Sequence, residues 1–133
     1  MLAKCAYKMR QATVFSWHFN RSALPENVVE SAIADLEFRV RPTRPLAMIV
    51  FGSVADSTAR EGSDLDVLLV YSSDEDIKSA RQRIYDGLKG PLTALPVDLV
   101  FVTKADFERK RWIGGVCFEA NLRGRRVIDE RGD

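Results

Sequence analysis

From Pro25 onward the apolar residues fall into two kinds of run, and the changes between them divide the chain into elements. Val29, Ile33, Leu36 and Val40 recur at helical spacing, with Pro25 suited to a first turn and Pro42 and Pro45 closing the segment. The unbroken run Leu46-Ala47-Met48-Ile49-Val50-Phe51 then predicts a buried strand. A second strand is predicted from about Asp64 to Tyr71. Ser72, Ser73 and Asp74 supply turn and cap chemistry, after which Ile77, Ala80, Ile84 and Leu88 mark one face of a helix closed by Gly90-Pro91. Val97-Asp98-Leu99-Val100-Phe101-Val102 predicts a third strand, and Thr103 with Asp106 fits the N-terminal cap of a helix reaching about Lys110.

The remaining segments are less regular. Val54 to Glu61 is small and polar, suited to a short helix and loop. Gly114-Gly115 disfavours a helix by about 1 kcal/mol per glycine, yet Ile113, Val116, Cys117, Ala120 and Leu122 fall near one face, and a short extended piece follows Gly124 from Arg125 to Asp129. A terminal helix and an edge strand are expected there. Alternation of helices and strands predicts one α/β or α+β domain over residues 25–133, and the pattern assigns no structure to an N-terminal appendage, residues 1–24.

Composition narrows the classes only a little. At 133 residues, 46% hydrophobic and 29% charged, the chain suits one soluble domain with a real core. A formal net charge of +1 gives no global pull toward nucleic acid. The basic cluster Arg109-Lys110-Arg111 with Arg123, Arg125 and Arg126 is read first as a solvated face and only second as a contact to phosphates or RNA. Trp112 beside it is read as core or interface packing ahead of base stacking. Cys5 and Cys117 form no CxxC pattern and His18 has no second histidine, so a reduced, cytoplasmic protein is expected, with His18 a surface or packing residue. The N-terminal segment lacks a signal-peptide core, and no run approaches the roughly 20 apolar residues of a membrane span.

Chemistry concentrates where the first two strands meet. Successive strand side chains point to opposite faces, so Asp64 and Asp66 project from the same face and form an oxygen-rich site for a hard cation. The preceding strand stops at Gly52-Ser53, where backbone N–H groups and a hydroxyl can face an anion. Asp98 is the one charged residue of an otherwise apolar strand, a costly placement unless it is paired, solvated or bound to metal. Three carboxylates on neighbouring strands suit two divalent ions and an in-line displacement at phosphorus, with Asp98 also placed to accept the proton of an attacking hydroxyl.

With Gly52-Ser53 ending one strand, Ser63-Asp64-x-Asp66 opening the next and Asp98 on the third, the chain resembles the DNA polymerase β-like nucleotidyltransferase superfamily, most closely its small stand-alone minimal nucleotidyltransferase branch. The resemblance covers roughly Pro25 to Asp129. It implies a small mixed β-sheet flanked by helices and transfer of a nucleoside monophosphate from an NTP, ATP as first choice, to a hydroxyl. It further implies Mg²⁺, or Mn²⁺ in its place, held by the catalytic Asp64, Asp66 and Asp98, and nucleotide contacts from Gly52, Ser53, Ser63 and Arg60. Asp56-Ser57 stands where that branch often carries Arg-Gly. Small members of the superfamily act as antitoxins paired with a helical toxin of the HEPN type, and others modify small molecules. A toxin partner or a homodimer is therefore expected, with no membrane role and nucleic acid less favoured.

Two other classes compete. One is a non-catalytic domain of the same fold that neutralises or scaffolds a partner protein, and the other is a DxD glycosyltransferase, which normally needs a longer chain and does not predict Gly-Ser on the preceding strand. The absence of a GK[ST] motif excludes a P-loop NTPase.

Overall fold

Ala32, Ile33, Leu36 and Val40 line the buried stripe of helix α1, Glu26–Val40, which ends in a 3-10 turn, Arg41–Thr43. Arg44, in the left-handed region at φ 59°, closes that turn by donating its N–H to Arg41 O at 3.0 Å. The computed structural model describes residues 7–11, 26–52, 64–86, 93 and 95–129. In chain order its other elements are β1 (Tyr7–Gln11), β2 (Ala47–Phe51), β3 (Leu65–Tyr71), α2 (Asp74–Tyr85), β4 (Val97–Thr103), α3 (Lys104–Lys110), α4 (Val116–Arg123) and β5 (Arg125–Asp129).

The caps behave as their residue types dictate. Ser73 Oγ accepts from the Asp76 N–H at 3.2 Å, and the acidic first turn Asp74, Glu75 and Asp76 suits the positive end of α2. Thr103 Oγ1 accepts from the Asp106 N–H at 3.2 Å at the start of α3. The predicted helices and strands of the central region are present, with Leu88 and the closing Gly90-Pro91 outside the described residues, and the edge strand after Gly124 forms as expected. The short helix expected between Val54 and Glu61 lies outside the described residues.

The strands join in the order β1-β4-β3-β2-β5, a mixed sheet of five strands. β3 and β4 run parallel, linked by the crossover helix α2, while β1 pairs with β4, β2 with β3 and β5 with β2 in antiparallel fashion. Both faces are covered. On the first, α1 and α2 pack against Met48, Val50, Val67, Leu69, Leu99 and Phe101; on the second, Phe107, Cys117 and Ala120 from α3 and α4 pack against Ile49, Leu68, Val70, Val100 and Val102. Two-sided burial explains why these strands read as continuous apolar runs with no polar alternation.

Two expectations need correction. The N-terminal stretch, to which the pattern assigned no structure, contributes β1 at Tyr7–Gln11, because extended backbone can satisfy its hydrogen bonds along β4 without an apolar run of its own. The helix face expected from Ile113 to Leu122 is narrower than the spacing implied. α4 begins only at Val116, and of those residues Cys117 and Ala120 are buried while Ile113, Val116 and Leu122 are exposed. Gly114 and Gly115, at φ 135° and 84°, hold a turn that a helix cannot pass through. Among the described residues no helix is long and apolar enough to cross a membrane.

Gly124 joins α4 to β5 at very close quarters: a Cβ there would lie 2.2 Å from Ile49 Cγ2 and 2.3 Å from Ala120 O. Gly124→Ala is expected to lower unfolding free energy by about 1–3 kcal/mol, read by urea titration, because one obstacle is backbone. Tyr71, stacked near Phe101 with ring centroids 6.2 Å apart, shares a hydrogen bond with Thr43 Oγ1 at 2.7 Å. Burial pushes its hydroxyl pKa up to about 12. Since the unfolded value is about 10, stability present below about pH 10 should be lost as pH rises toward 12. Urea titrations at pH 8, 10 and 11 should show this loss in the wild type and a flatter profile in Tyr71→Phe.

Candidate active site

On the second face of the sheet, the even-numbered residues of β3 and β4 follow one another as Asp66, Leu68, Val70 and Asp98, Val100, Val102. Their apolar members are covered by α3 and α4. The two aspartates continue the same rows toward the ends where both strands begin. Asp66 is half-buried and Asp98 is only 5% exposed. Because the strands are parallel, these ends coincide, and Asp66 and Asp98 are partners in the register.

That register is secured beside the carboxylates themselves. The Leu65 N–H donates to Pro96 O at 2.7 Å, tying the first residue of β3 to the residue before β4. Upstream of β4, Thr93 Oγ1 donates to Leu95 O at 2.8 Å and accepts from the Leu95 N–H at 3.1 Å, a local turn that sets the entry of the strand. Asp64, half-buried, lies just before β3, two residues ahead of Asp66.

Gly52 meets this pair from the other side. Phe51 is the register partner of Asp66, and Gly52 follows it at φ 76°, a conformation that favours glycine. A Cβ on Gly52 would lie 2.5 Å from Asp66 Oδ2. The missing side chain is therefore what lets the end of β2 and the Asp66 carboxylate occupy adjacent space. Ser53, Arg60 and Ser63, the other expected nucleotide contacts, lie outside the described residues, as do Asp56 and Ser57.

Among the described residues no group of three or more His, Cys, Asp or Glu side chains is already gathered as a metal cage. The fit of a divalent ion rests instead on the donor chemistry, hard carboxylate oxygens on adjacent strands. That chemistry suits a hard divalent ion.

The basic cluster near the C-terminus is largely occupied within the fold. Arg109 pairs with the buried Asp106, and Arg111 Nε lies 3.4 Å from Glu108 Oε1. Arg125 forms a two-pronged bond with Glu30 at 2.7 and 2.9 Å, which holds the Glu30 carboxyl below its ordinary pKa. The Arg126 guanidinium packs 5.9 Å from the Phe107 ring centre. These contacts favour the solvated structural role expected for the cluster. Of the two places expected for Trp112, core or interface, the core is excluded: it is 67% exposed, with the Arg111 guanidinium 4.9 Å from its ring centre. Its neighbour Ile113 is 76% exposed.

Sequence reading attached no residue of the first two dozen to this site, yet β1 brings Arg10 to the register position opposite Asp98. The usable signal was the alternation in Tyr7-Lys8-Met9-Arg10, too short to be assigned as a strand without its partner.

Comparison with known proteins agrees with this geometry. No curated protein and no solved structure matches the chain. A family model described as a nucleotidyltransferase domain matches residues 29–123, a span that holds β2, β3 and β4 with Gly52, Asp64, Asp66 and Asp98. By that match over most of its length, the chain belongs to the nucleotidyltransferase domain family.

Proposed function

We propose that this chain is an active, divalent-metal-dependent nucleotidyltransferase that moves a nucleoside monophosphate from an NTP, with ATP as the first choice, to a hydroxyl of a protein or small molecule. The single observation that carries the reading is the register pairing of Asp66 with Asp98 beside the left-handed Gly52. A buried strand pair has no structural use for two facing carboxylates, and placing them there is costly unless a cation is part of the site.

Asp64, Asp66 and Asp98 would hold the ions, Mg²⁺ in the first instance. When bound, such ions offset the charge of the triphosphate and stabilise the entering and leaving oxygens at the α-phosphorus. Gly52 leaves the end of β2 clear for a phosphate group, and Ser53, Ser63 and Arg60 would add donors to it. Asp98, the more buried carboxylate, would take the proton from the acceptor hydroxyl. The acceptor oxygen then bonds to the α-phosphorus, the bond from that phosphorus to the bridging oxygen breaks, and pyrophosphate leaves with the electron pair.

The exposed Trp112 and Ile113 support a protein partner. A helical toxin of the HEPN type, neutralised in a cytoplasmic toxin–antitoxin pair, suits such a surface, and a second copy of this chain is the competing occupant. A non-catalytic scaffold would use the same surface without the carboxylates. Asn at both Asp64 and Asp66 separates the two readings, since a pure binder keeps its partner affinity.

Incubation with α-labelled ATP, Mg²⁺ and host lysate should label an acceptor, and Asp66→Asn should reduce that labelling by at least about 10³-fold. Labelling undiminished in the variant would falsify the mechanism. Gly52→Ala should also lose most transfer, because the added methyl and the Asp66 carboxylate cannot both keep their positions. Circular dichroism would report a retained fold, and calorimetry should show weaker Mg²⁺–ATP binding. Equal binding in Gly52→Ala and wild type would contradict the role given to that glycine.

A further inference from the structure

At the end of the strands away from the aspartates, the second face carries a cavity of about 190 Å³ between β2, β3 and α3. Leu46, Ala47, Val70 and Phe107 supply its apolar walls, and the last three are buried members of the second core. An apolar void of about 150 Å³ is enough to take up benzene, so this one has room for a six-membered ring with a short substituent. Val70 follows Asp66 on β3 at a distance of about 13 Å along the strand, which sets the cavity apart from the acidic pair.

The other walls are charged, and they come from Lys104, Glu108 and Arg126. Arg126 faces this side because it is the register partner of Ile49, a residue of the second core. Its guanidinium is held against the Phe107 ring, yet Nη1 is buried and has no hydrogen-bond partner among the described residues. Asp129 Oδ2 lies 3.9 Å from that nitrogen, too far for a hydrogen bond. Arg109 and Arg125, by contrast, both bond carboxylates directly. A buried donor on a charged group is costly to leave unsatisfied, so an acceptor supplied by a ligand is favoured at this point.

We propose that this cavity binds a small amphipathic monoanion, a carboxylate on a compact aromatic or branched apolar body, at a site separate from the nucleotide site. The apolar body packs against Phe107 and Val70, and the carboxylate accepts from Arg126 with Lys104 as the second cation. Guanidinium and carboxylate are matched planar partners, and the bond between them is charge-assisted. Glu108 sets the charge class. Two cations and one carboxylate in the walls leave a net charge of +1, which a monoanion offsets, whereas a phosphate dianion overshoots it beside Glu108. The site does not rest on the metal-dependent reading above.

The test uses the full chain and two-dimensional amide NMR, with benzoate as the probe, benzyl alcohol as its uncharged counterpart and inorganic phosphate as the bare anion. Benzoate should shift the amides of Val70, Lys104, Phe107 and Arg126 saturably, with a dissociation constant on the order of 1 mM for a ligand of this size. Benzyl alcohol should bind about tenfold more weakly, and phosphate should give no saturable shift at these amides. Arg126→Gln should weaken benzoate about tenfold, with Arg126→Lys recovering part of the loss. Ala47→Leu, which fills the cavity and keeps its charges, should abolish saturable binding. Circular dichroism reports whether each variant is folded, and the comparison of the three probes on the wild type decides without them. Asp66→Asn should bind benzoate as the wild type does. No saturable benzoate shift, equal binding of benzoate with benzyl alcohol or phosphate, or benzoate binding unchanged in folded Arg126→Gln or Ala47→Leu overturns the proposal. Loss of benzoate binding in Asp66→Asn assigns the anion to the acidic pair and overturns it as well.

Discussion

Everything distinctive about this molecule depends on the register of one parallel strand pair. β3 and β4 are buried on both faces, so their side chains are sorted by parity: odd residues meet α1 and α2, even residues meet α3 and α4. A slip of one residue in either strand would drive an aspartate into the first core and move the apolar set with it. The pairing of Leu65 with Pro96 and the turn at Thr93 hold that register from the end where the carboxylates stand. Apolar packing at the other end of the strands thus sets the position of charge at this one.

On the second face, α3 and α4 cover the apolar members of the rows in which Asp66 and Asp98 stand. Phe107, Cys117 and Ala120 close over Leu68, Val70, Val100 and Val102, and the helices that carry them are short. Arg109 and Arg111 pair within α3 and its end, with Asp106 and Glu108. Surface pairs of this kind are individually worth about 0–1 kcal/mol. Burial pushes the thiol of Cys117 up in pKa, which suits a packing role under α4. Between α3 and α4, Trp112 and Ile113 are displayed on a turn whose shape two glycines at positive φ allow.

The N-terminal strand extends the sheet beyond the residues that the family model matches. Residues 29–123 carry the family signature, but the sheet extends beyond them on the β4 side, where β1 completes the hydrogen bonding of a strand that holds Asp98. An acidic site at the edge of a sheet would face water along one flank. Adding β1 makes β4 an interior strand and surrounds Asp98 with backbone on both sides.

From the sequence alone came the central helices and strands and the isolation of Asp98 as the one charge in an apolar strand. Those features are local: a period of two, a helical repeat and a cap each depend on residues a few positions apart. β1 was illegible because five residues of mixed character carry too little periodicity, and the edge they fill exists only after β4 has been paired. The exposure of Ile113, Val116 and Leu122 was illegible for a related reason, since helical spacing shows which residues share a face and not whether anything covers it. Tertiary structure alone decided that Asp66 and Asp98, thirty-two positions apart in the chain, share a register and that Gly52 stands against the first of them. Distance along the chain says nothing of distance across a sheet, and strand pairing is settled by burial on both faces at once.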